Sequence, residues 1–204
     1  MKGVFITFEG IEGAGKSTQA RKLKEYLEYI GKKVILTREP GGTKIGLKIR
    51  EIVLSHWDEI FPNIAELLLY EADRNIHIYN VIKPKLEEGY IVISDRFIDS
   101  TVAYQHFARG IDRNIVDYLN NLATDGLKPD ITFLIDIPVS ESLKRLKDKD
   151  RIEQEDITFH QKLREGFLKI AEEEKDRFII LDGTENENII FDKIINILSA
   201  KKII

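Results

Sequence analysis

The chain has 204 residues, a length typical of one globular domain that buries its core without disulfide staples. Its formal net charge of −4 argues against a general nucleic-acid-binding surface, and the absence of cysteine excludes disulfides and thiolate chemistry. No signal-type segment or apolar run of 18 residues is present, so we expect a cytoplasmic protein that does not act at a membrane.

Short apolar runs alternate with longer helical patterns along the chain, which is typical of a parallel α/β sheet. The predicted strands are 4–9, 33–37, 90–95, 131–136 and 178–182. The predicted helices are 16–30, 44–55, 63–88, 99–124, 140–147, 157–174 and 187–199. Pro84 lies inside the third helix, where we expect a kink or a break. The pattern predicts one domain over 1–204, with a five-stranded parallel sheet flanked by helices on both faces.

A phosphate-binding loop follows the first predicted strand and opens the first helix. The segment FEGIEGAGKST matches G-x-x-x-x-G-K-[ST], and the alternative is a glycine-rich turn that matches by chance. In such a loop backbone N–H groups and the helix N-terminus attract phosphate oxygens. Lys16 is expected to reach the β- and γ-phosphates, and Ser17 to offer its hydroxyl to Mg²⁺. The predicted nucleotide-binding residues of the loop are Gly10, Ile11, Glu12, Gly13, Ala14, Gly15, Lys16, Ser17 and Thr18.

Three predicted strands end in aspartate, at Asp95, Asp136 and Asp182. In a P-loop architecture the carboxylate beside Mg²⁺ lies at the carboxyl end of a strand next to the first. Arg96 follows Asp95 directly, so we predict that Asp95 orients Mg²⁺-bound water while Arg96 reaches an acceptor phosphate. For Asp136 and Asp182 the favoured interpretation is a helix or turn cap after the strand.

Two functional classes remain open at this point: a kinase for a small acceptor, and a nucleotide-dependent switch or motor. A GTPase switch should carry an N-K-x-D motif and a D-x-x-G motif after a strand, and the sequence has neither. The second half of the chain instead interleaves basic and aromatic side chains, as a small phosphorylated acceptor would require. The pattern therefore favours the kinase.

Five segments together resemble the thymidylate kinase family: FEGIEGAGKSTQ, TREPGGT, LLLYEADR, ISDRFIDSTVAYQ and DRIEQ. They occur in the family's order over nearly the whole chain, and their combination is specific although the P-loop alone is not. The resemblance implies the P-loop nucleoside monophosphate kinase fold and transfer of the γ-phosphoryl of ATP to dTMP, with Mg²⁺, giving dTDP and ADP in dTTP biosynthesis. It also implies a homodimer. Another nucleoside monophosphate kinase or a deoxynucleoside kinase is the alternative.

The resemblance also assigns an acceptor site. Tyr70 is expected to stack on thymine, and Arg74, on the same helix face, to contact base and phosphate. Arg96 is expected on the dTMP phosphate, and Tyr104 to exclude a 2′-hydroxyl. The alternative makes Tyr70 and Tyr104 core aromatics and Arg74 a solvated helix residue. The implied substrate-binding residues are Arg38, Tyr70, Arg74, Arg96, Ser100, Thr101, Tyr104 and Gln105.

Glu12 places a carboxylate inside the loop. Like charges about 4 Å apart repel by about 4 kcal/mol at an effective dielectric of 20, so direct contact with phosphate is unfavourable. We expect Glu12 to accept a hydrogen bond from the acceptor's 3′-hydroxyl or to order water on Mg²⁺. The alternative is a solvated loop residue.

The position after Glu12 is Gly13, where some thymidylate kinases carry arginine. Members without that arginine resemble a second type, which supplies basic residues from a mobile lid. Here the resemblance points to a lid at 144–156, with Arg151 as catalytic cation and Arg145 over the adenine. The lysines of this segment are Lys147 and Lys149, and they lack the bidentate fork of arginine. The alternative interpretation is that they belong to a solvated run of charged residues without a role in catalysis. The predicted catalytic residues are Lys16, Arg96, Arg151 and Glu12.

Overall fold

Five parallel strands form one sheet at the centre of the molecule. The computed structural model describes residues 3–146 and 150–204. The strands are β1 (Val4–Glu9), β2 (Val34–Arg38), β3 (Ile91–Asp95), β4 (Ile131–Asp136) and β5 (Phe178–Asp182), in the spatial order β2-β3-β1-β4-β5. The predicted five-stranded parallel sheet is confirmed, and each boundary agrees to within one residue. Buried parallel strands are nearly continuous apolar runs because helices cover both faces, which is why the pattern is easy to recognise.

Helices cover the two faces of the sheet. They are α1 (Lys16–Tyr29), α2 (Lys44–Leu54), α3 (Asn63–His77), α4 (Lys83–Glu87), α5 (Ile98–Thr101), α6 (Arg113–Thr124), α7 (Val139–Arg145), α8 (Ile157–Glu173) and α9 (Glu187–Ala200). Two π-helical segments join this set, Ile78–Ile82 between α3 and α4, and Val102–Ala108 after α5. Within the parts of the chain that are described, no helix is both long and apolar enough to cross a membrane.

The helix that contains Pro84 continues through the proline. Ile78, Ile82 and Lys83 all keep right-handed helical dihedrals, and the π-helical segment directly precedes the proline. A proline ring clashes with the carbonyl four residues earlier and offers no N–H, and a wider π turn is a local way to accommodate both effects. The helix therefore does not break at Pro84, and a π-helical segment directly precedes the proline instead.

The single helix predicted over 99–124 is wrong. The helical run that begins at Ile98 ends at Ala108, and α6 begins at Arg113. Gly110 has φ 78°, a left-handed conformation that ends helices and that glycine adopts without strain. Asp112 then caps α6 by accepting a hydrogen bond from the backbone N–H of Asn114 at 2.7 Å.

The core divides between the two faces of the sheet. On one face Phe8 stacks on Phe133 with ring centroids 5.4 Å apart, and on the other Phe5 meets Phe97 edge to face at 4.8 Å. The carboxyl ends of all five strands meet at one edge, where ligands bind in open α/β sheets. The loops after β1, β2 and β3 therefore converge on the same place.

Candidate active site

A cavity of about 270 Å³ lies at the carboxyl ends of β1, β2 and β3. Predicted site residues that line it are Glu12, Gly13, Lys16, Ser17, Arg38, Tyr70, Arg74, Asp95, Arg96, Ser100, Thr101, Tyr104 and Gln105. Other predicted residues lie outside this lining, namely Gly10, Ile11, Ala14, Gly15, Thr18, Arg145 and Arg151. Four segments that are distant in the sequence thus meet around one space.

The P-loop packs closely against β4, and its own lysine folds back over it. At Gly10, φ is 137°, and a Cβ there would lie 2.4 Å from the backbone oxygen of Ile135, so only glycine fits. The ammonium of Lys16 folds over the loop and donates to the carbonyl oxygen of Ile11 at 2.7 Å. Burial, and then the cation of Arg96, lower the pKa of Lys16 to about 8. A bound polyanion would favour the charged form of this lysine again.

Ser17 and Asp95 lie side by side, because the first turn of α1 faces the end of β3. The Ser17 hydroxyl donates to the Asp95 carboxylate. Over residues 3–146 and 150–204, no group of three or more histidine, cysteine or carboxylate side chains could hold a metal by itself. An ion bound at Ser17 and Asp95 would therefore draw its remaining ligands from phosphate and water, which is how Mg²⁺ is usually held.

The negative charge of Glu12 is paired with a positive charge inside the protein. Its Oε1 accepts from Nη2 of Arg96 at 3.0 Å and from the Tyr104 hydroxyl, and the side chain is 12% exposed. The interpretation as a solvated loop residue is therefore wrong. Burial alone would raise the pKa of Glu12, but Arg96 and Lys16 outweigh it and hold the pKa below the ordinary value. Its Oε2 has no hydrogen-bond partner in the described part of the chain, so one acceptor remains available.

Arg96 occupies a strained backbone position. Its φ of 73° is left-handed, which costs a non-glycine residue roughly 1–3 kcal/mol and is typical of functional sites. The Ser94 hydroxyl donates to the Arg96 carbonyl at 2.8 Å and helps to hold this conformation. The guanidinium donates to the Gly10 carbonyl and to Ser100 Oγ, each at 3.0 Å, and lies 5.2 Å from the centre of the Tyr104 ring.

Glu9 is a site residue that the sequence analysis missed. It ends β1, is fully buried, and accepts from the Phe97 N–H at 2.7 Å and the Ser100 hydroxyl at 2.6 Å. Burial, and then the carboxylate of Asp99, raise the pKa of Glu9 to about 8. Its only sequence signal was a carboxylate at the end of an apolar strand, which does not reveal what it contacts.

Arg74 is buried, so the alternative of a solvated helix residue is wrong. Nε donates to Glu39 at 2.8 Å, Nη1 donates to Glu71 at 2.8 Å and to Thr101 at 2.7 Å, and Nη2 donates to the Phe97 carbonyl at 3.1 Å. Each of its three nitrogens thus has a partner within the protein. Arg74 reaches the cavity wall as the centre of a buried polar network, which the local helical pattern could not show.

Arg50 and Asp73 are among the cavity-lining residues that the sequence pattern did not reveal. Arg50 of α2 donates to the Pro40 carbonyl at 3.1 Å, and burial followed by the nearby Arg38 lowers the pKa of Arg50. Asp73 of α3 accepts from the Gly41 N–H at 3.2 Å, and burial is the main cause that raises the pKa of Asp73 to about 6. Both lie on helices, where sequence spacing alone does not distinguish an inward-facing charge from a solvated one.

Tyr70 and Arg38 lie on the acceptor side of the cavity. Tyr70 is half-buried and Arg38 is exposed. Burial raises the pKa of Tyr70, so its hydroxyl stays neutral near pH 7. The alternative that made Tyr104 a core aromatic holds in part, because Tyr104 is buried against Phe159 and Phe167 while its hydroxyl reaches Glu12.

The helix α7 supports the outer side of the P-loop. Ser142 donates its hydroxyl to the Glu12 carbonyl at 2.7 Å. Arg145 donates to the Gly13 carbonyl at 3.1 Å and to the Gly183 carbonyl at 3.3 Å. Arg145 therefore bridges the P-loop and the turn after β5, beside the cavity and outside its lining.

Arg151 lies away from the phosphate-binding loop. Its guanidinium donates to the Val53 carbonyl at 2.8 Å and to the Glu66 carboxylate, and it lies 5.0 Å from the centre of the Phe61 ring. Lys147 and Lys149, the other basic candidates of the predicted lid, fall outside the described residues.

The other two aspartates at strand ends, Asp136 and Asp182, have different kinds of hydrogen-bond partner. Asp182 caps the turn that follows β5 by accepting from the Thr184 N–H at 2.9 Å, which confirms the favoured interpretation. For Asp136 that interpretation is wrong, because its carboxylate forms a two-pronged ion pair with Arg164 at 2.7 and 2.8 Å. The partner lies 28 residues away, beyond the reach of any local pattern.

Comparisons with known proteins agree on one family. A family model described as "Thymidylate kinase" matches residues 8–194. The thymidylate kinase of Sulfurihydrogenibium sp. (strain YO3AOP1) is 68% identical over 99% of this chain and 100% of its own length. The thymidylate kinase of Geotalea daltonii is 50% identical over 90% of this chain and 91% of its own length. The crystal structure of the thymidylate kinase from Ehrlichia chaffeensis matches with a TM-score of 0.81 at 38% identity, covering 97% of this chain and 99% of the other.

Proposed function

Because the chain belongs to the thymidylate kinase family, which phosphorylates dTMP to dTDP with ATP in dTTP synthesis, we propose that the cavity at the carboxyl edge of the sheet performs this transfer. The observation that most strongly supports the proposal concerns Lys16 and Arg96. These two cations donate to adjacent carbonyl oxygens of the same loop, those of Ile11 and Gly10. A cation for the donor phosphates and a cation for the acceptor phosphate thus lie side by side.

The donor side consists of the P-loop, Gly10 to Thr18, and the first turn of α1. Backbone N–H groups and Lys16 hold the phosphates of ATP, and the charge of Lys16 offsets the negative charge shared by the β- and γ-phosphates. Arg145 lies beside Gly13 and Gly183, and its guanidinium plane is available to cover the adenine.

Ser17 and Asp95 fit Mg²⁺ by the chemistry of their side chains, a hydroxyl and a carboxylate in contact with one another. Ser17 would bind the ion directly, and Asp95 would orient water bound to it. When bound, Mg²⁺ supplies positive charge to the phosphate oxygens.

The acceptor side holds dTMP with the residues that line the cavity after β2, β3 and α3. Arg96 and Arg38 bind its phosphate, and the aromatic ring of Tyr70 stacks on thymine. Tyr104, held by Glu12, excludes a 2′-hydroxyl. Arg74 contributes mainly by fixing Thr101 and the Phe97 carbonyl, since its donors are used within the protein. Ser100 and Gln105 complete the nucleoside pocket.

Glu12 separates the two phosphate sites. Its Oε1 is occupied by Arg96 and Tyr104, and Oε2 is available to accept from the 3′-hydroxyl of the acceptor or from water. The carboxylate therefore orients groups without opposing the phosphates, because Arg96 balances its charge.

Transfer requires no covalent enzyme intermediate. An oxygen of the acceptor phosphate held by Arg96 attacks the γ-phosphorus in line, the bond between that phosphorus and the β,γ-bridging oxygen breaks, and ADP leaves. Catalysis consists of positioning and charge neutralisation. Lys16, Arg96 and Arg151 supply positive charge for this step. Arg151 would have to leave Glu66 to do so, since it pairs with that residue here.

In the proposed enzyme the chain is one catalytic domain over 1–204, with residues 144–156 as a lid, in a cytoplasmic homodimer. Apolar residues exposed on α3 and α6 support the homodimer: Ile64, Leu68, Ile115, Tyr118 and Leu122. The two helices pack beside each other, so the proposed interface combines apolar residues of both.

An acceptor panel tests the substrate assignment. The protein is incubated with Mg-ATP and dTMP, dUMP, UMP, CMP, AMP or thymidine, and products are separated by chromatography. We expect dTDP and ADP in equal amounts with dTMP, and much lower turnover with the ribonucleotides and thymidine. Stronger phosphorylation of AMP, CMP or UMP would favour another nucleoside monophosphate kinase, and phosphorylation of thymidine alone would favour a deoxynucleoside kinase.

A further inference from the structure

Glu66 lies behind the cavity wall, and its carboxylate joins three residues from different parts of the chain. The side chain is 2% exposed. Its Oε1 accepts from Nε2 of Gln105 at 2.8 Å and from Nε of Arg109 at 3.3 Å, and its Oε2 accepts from Arg151. One buried negative charge thus connects a cavity residue with two arginines.

The amide of Gln105 is only half satisfied. Gln105 is fully buried and lines the cavity, and its nitrogen is held by Glu66. Its Oε1 has no hydrogen-bond partner within residues 3–146 and 150–204. A buried acceptor without a partner is costly, so its presence at a cavity wall suggests that a ligand supplies the missing donor.

The ionisation of Glu66 determines which end of this amide is held and which end is left without a partner. Burial alone would raise the pKa of Glu66, but Arg109, Gln105 and Arg151 outweigh burial and hold the pKa below the ordinary value. An ionised carboxylate only accepts hydrogen bonds, so the amide nitrogen of Gln105 must face it. The amide oxygen is consequently the end that has no partner within the described part of the chain.

We propose that Glu66 is a positioning residue for acceptor selection, because it turns the amide oxygen of Gln105 towards a pyrimidine base that carries a hydrogen at N3. This inference rests on the proposed function, since it places the acceptor base in this cavity. Thymine and uracil both present N3–H as a donor, whereas the N3 of cytosine is an acceptor. The fixed amide oxygen therefore attracts the first two bases and repels the third.

The variant Glu66→Gln tests this inference. A glutamine at position 66 can donate as well as accept, so the amide of Gln105 is free to turn either way. We expect the ratio of kcat/KM for dTMP to that for dCMP to fall by about tenfold or more. The ratio of dTMP to dUMP should stay unchanged, because these bases differ only by a methyl group. Effects transmitted through Arg151 or Arg109 to the phosphates cancel in both ratios.

The matched control is Glu155→Gln, which alters the other carboxylate that binds Arg109 and does not touch Gln105. We expect it to leave both ratios at the parent value. If Glu66→Gln phosphorylates dTMP with an unchanged preference over dCMP, the role of Glu66 is overturned while the kinase assignment stands. If the parent protein does not phosphorylate dTMP, the proposed function itself is overturned.

A second variant covers the case in which Glu66→Gln does not fold. Gln105→Met keeps the length of the side chain and removes the amide, so it should also lower the preference for dTMP over dCMP. An unchanged preference in this variant contradicts the proposal without reference to the stability of any Glu66 variant.

Discussion

The carboxylate of Glu12 can lie in a phosphate-binding loop because a single residue, Arg96, balances its charge. The same arginine also contacts the Gly10 carbonyl and Ser100, so it ties the loop to the segment that follows β3. Its left-handed backbone stores strain, which the Ser94 hydroxyl and the Glu9 carboxylate help to hold. At the scale of single residues, the charges of Glu12 and Arg96 are thus already paired before a substrate binds.

Replacing Lys16 should nearly abolish transfer. Lys16→Ala removes the cation that neutralises the β- and γ-phosphates during the reaction, and losing such a group lowers kcat by about a hundredfold or more. Steady-state kinetics with both substrates varied measures this effect. Lys22→Ala, on the same helix but paired with Asn188 and Glu187, should retain parent activity. A Lys16 variant that keeps most of its kcat would place the catalytic phosphate site elsewhere.

Replacing Tyr70 should weaken acceptor binding selectively. Stacking of a base on an aromatic ring is worth roughly 1–3 kcal/mol, so Tyr70→Ala should raise the KM for dTMP about fivefold to a hundredfold. The KM for ATP should change little, and Tyr70→Phe should behave like the parent because it keeps the ring. Tyr29→Ala, at an exposed position on α1, is the control. An unchanged KM for dTMP would mean that Tyr70 only fills space.

At the scale of whole elements, α7 acts as a support for the P-loop. Its first turn holds the Glu12 carbonyl through Ser142, and its last turn holds the Gly13 carbonyl through Arg145. Gly13 has φ 68°, and a Cβ there would lie 3.1 Å from the Ser142 carbonyl oxygen and 3.2 Å from Cβ of Arg145. The close approach of α7 and the backbone angle both favour glycine at this position.

Gly13→Arg should therefore destabilise the loop. A left-handed non-glycine residue costs roughly 1–3 kcal/mol, so we expect Tm to fall by several degrees in a thermal melt. Gly13→Ala should lose a similar amount, because the strain comes from the backbone and from Cβ. If Gly13→Arg keeps the parent Tm, the contact between α7 and the loop does not restrict which side chain fits at position 13. The added cation could then be tested for rescue of Arg151→Ala.

Arg151→Ala tests the predicted catalytic role of the segment before α8. We expect kcat to fall at least about tenfold while both KM values change little, the pattern of an interaction made chiefly in the transition state. Arg151→Lys should recover little, because an ammonium cannot reproduce the planar fork. Lys147→Ala and Lys149→Ala should have smaller effects.

The contacts of Arg151 suggest what the opposite result would mean. It donates to Glu66 and to the Val53 carbonyl, so a loss of Tm with kcat near the parent value would identify a structural clamp. The catalytic cation would then be Arg96, or Arg145 beside the loop.

At the scale of the whole molecule, the parallel sheet brings the loops after β1, β2 and β3 to one edge, and the helices α3 and α6 beside it expose apolar side chains. On α3, Leu68 is 50% exposed, and on α6, Tyr118 and Leu122 are 65% and 61% exposed. Neighbouring apolar residues of this size on adjacent helices form the kind of patch that mediates association. The face lies on α3, the helix that also carries Tyr70, Arg74 and Glu66.

A charge on this face should separate the proposed homodimer into monomers. Leu68→Glu is expected to shift the sedimentation profile at micromolar concentration from a dimer to a monomer, since an unpaired carboxylate in an apolar interface is strongly unfavourable. Ile189→Glu, at a position equally exposed on α9, should sediment like the parent. A parent protein that sediments as a monomer would contradict the proposed dimer directly.

Local pattern was sufficient for the strands, most helices and the P-loop. A buried parallel strand is a continuous apolar run, and the phosphate-binding loop consists of adjacent residues whose order defines it. Local pattern failed at 109–112, where helical spacing continues on both sides of Gly110 and masks the break. The five-stranded sheet and the kinase family could thus be predicted from the sequence, together with most residues that line the cavity.

Only the tertiary structure decided how the charged residues are paired. Glu12 and Arg96 are 84 residues apart, Glu39 and Arg74 are 35 apart, and Glu66 and Arg151 are 85 apart. Periodicity reports which face of an element a residue lies on, whereas an ion pair depends on how separate elements pack in space. For that reason the sequence identified Arg151 as a cation, and the fold determined that its partner here is Glu66.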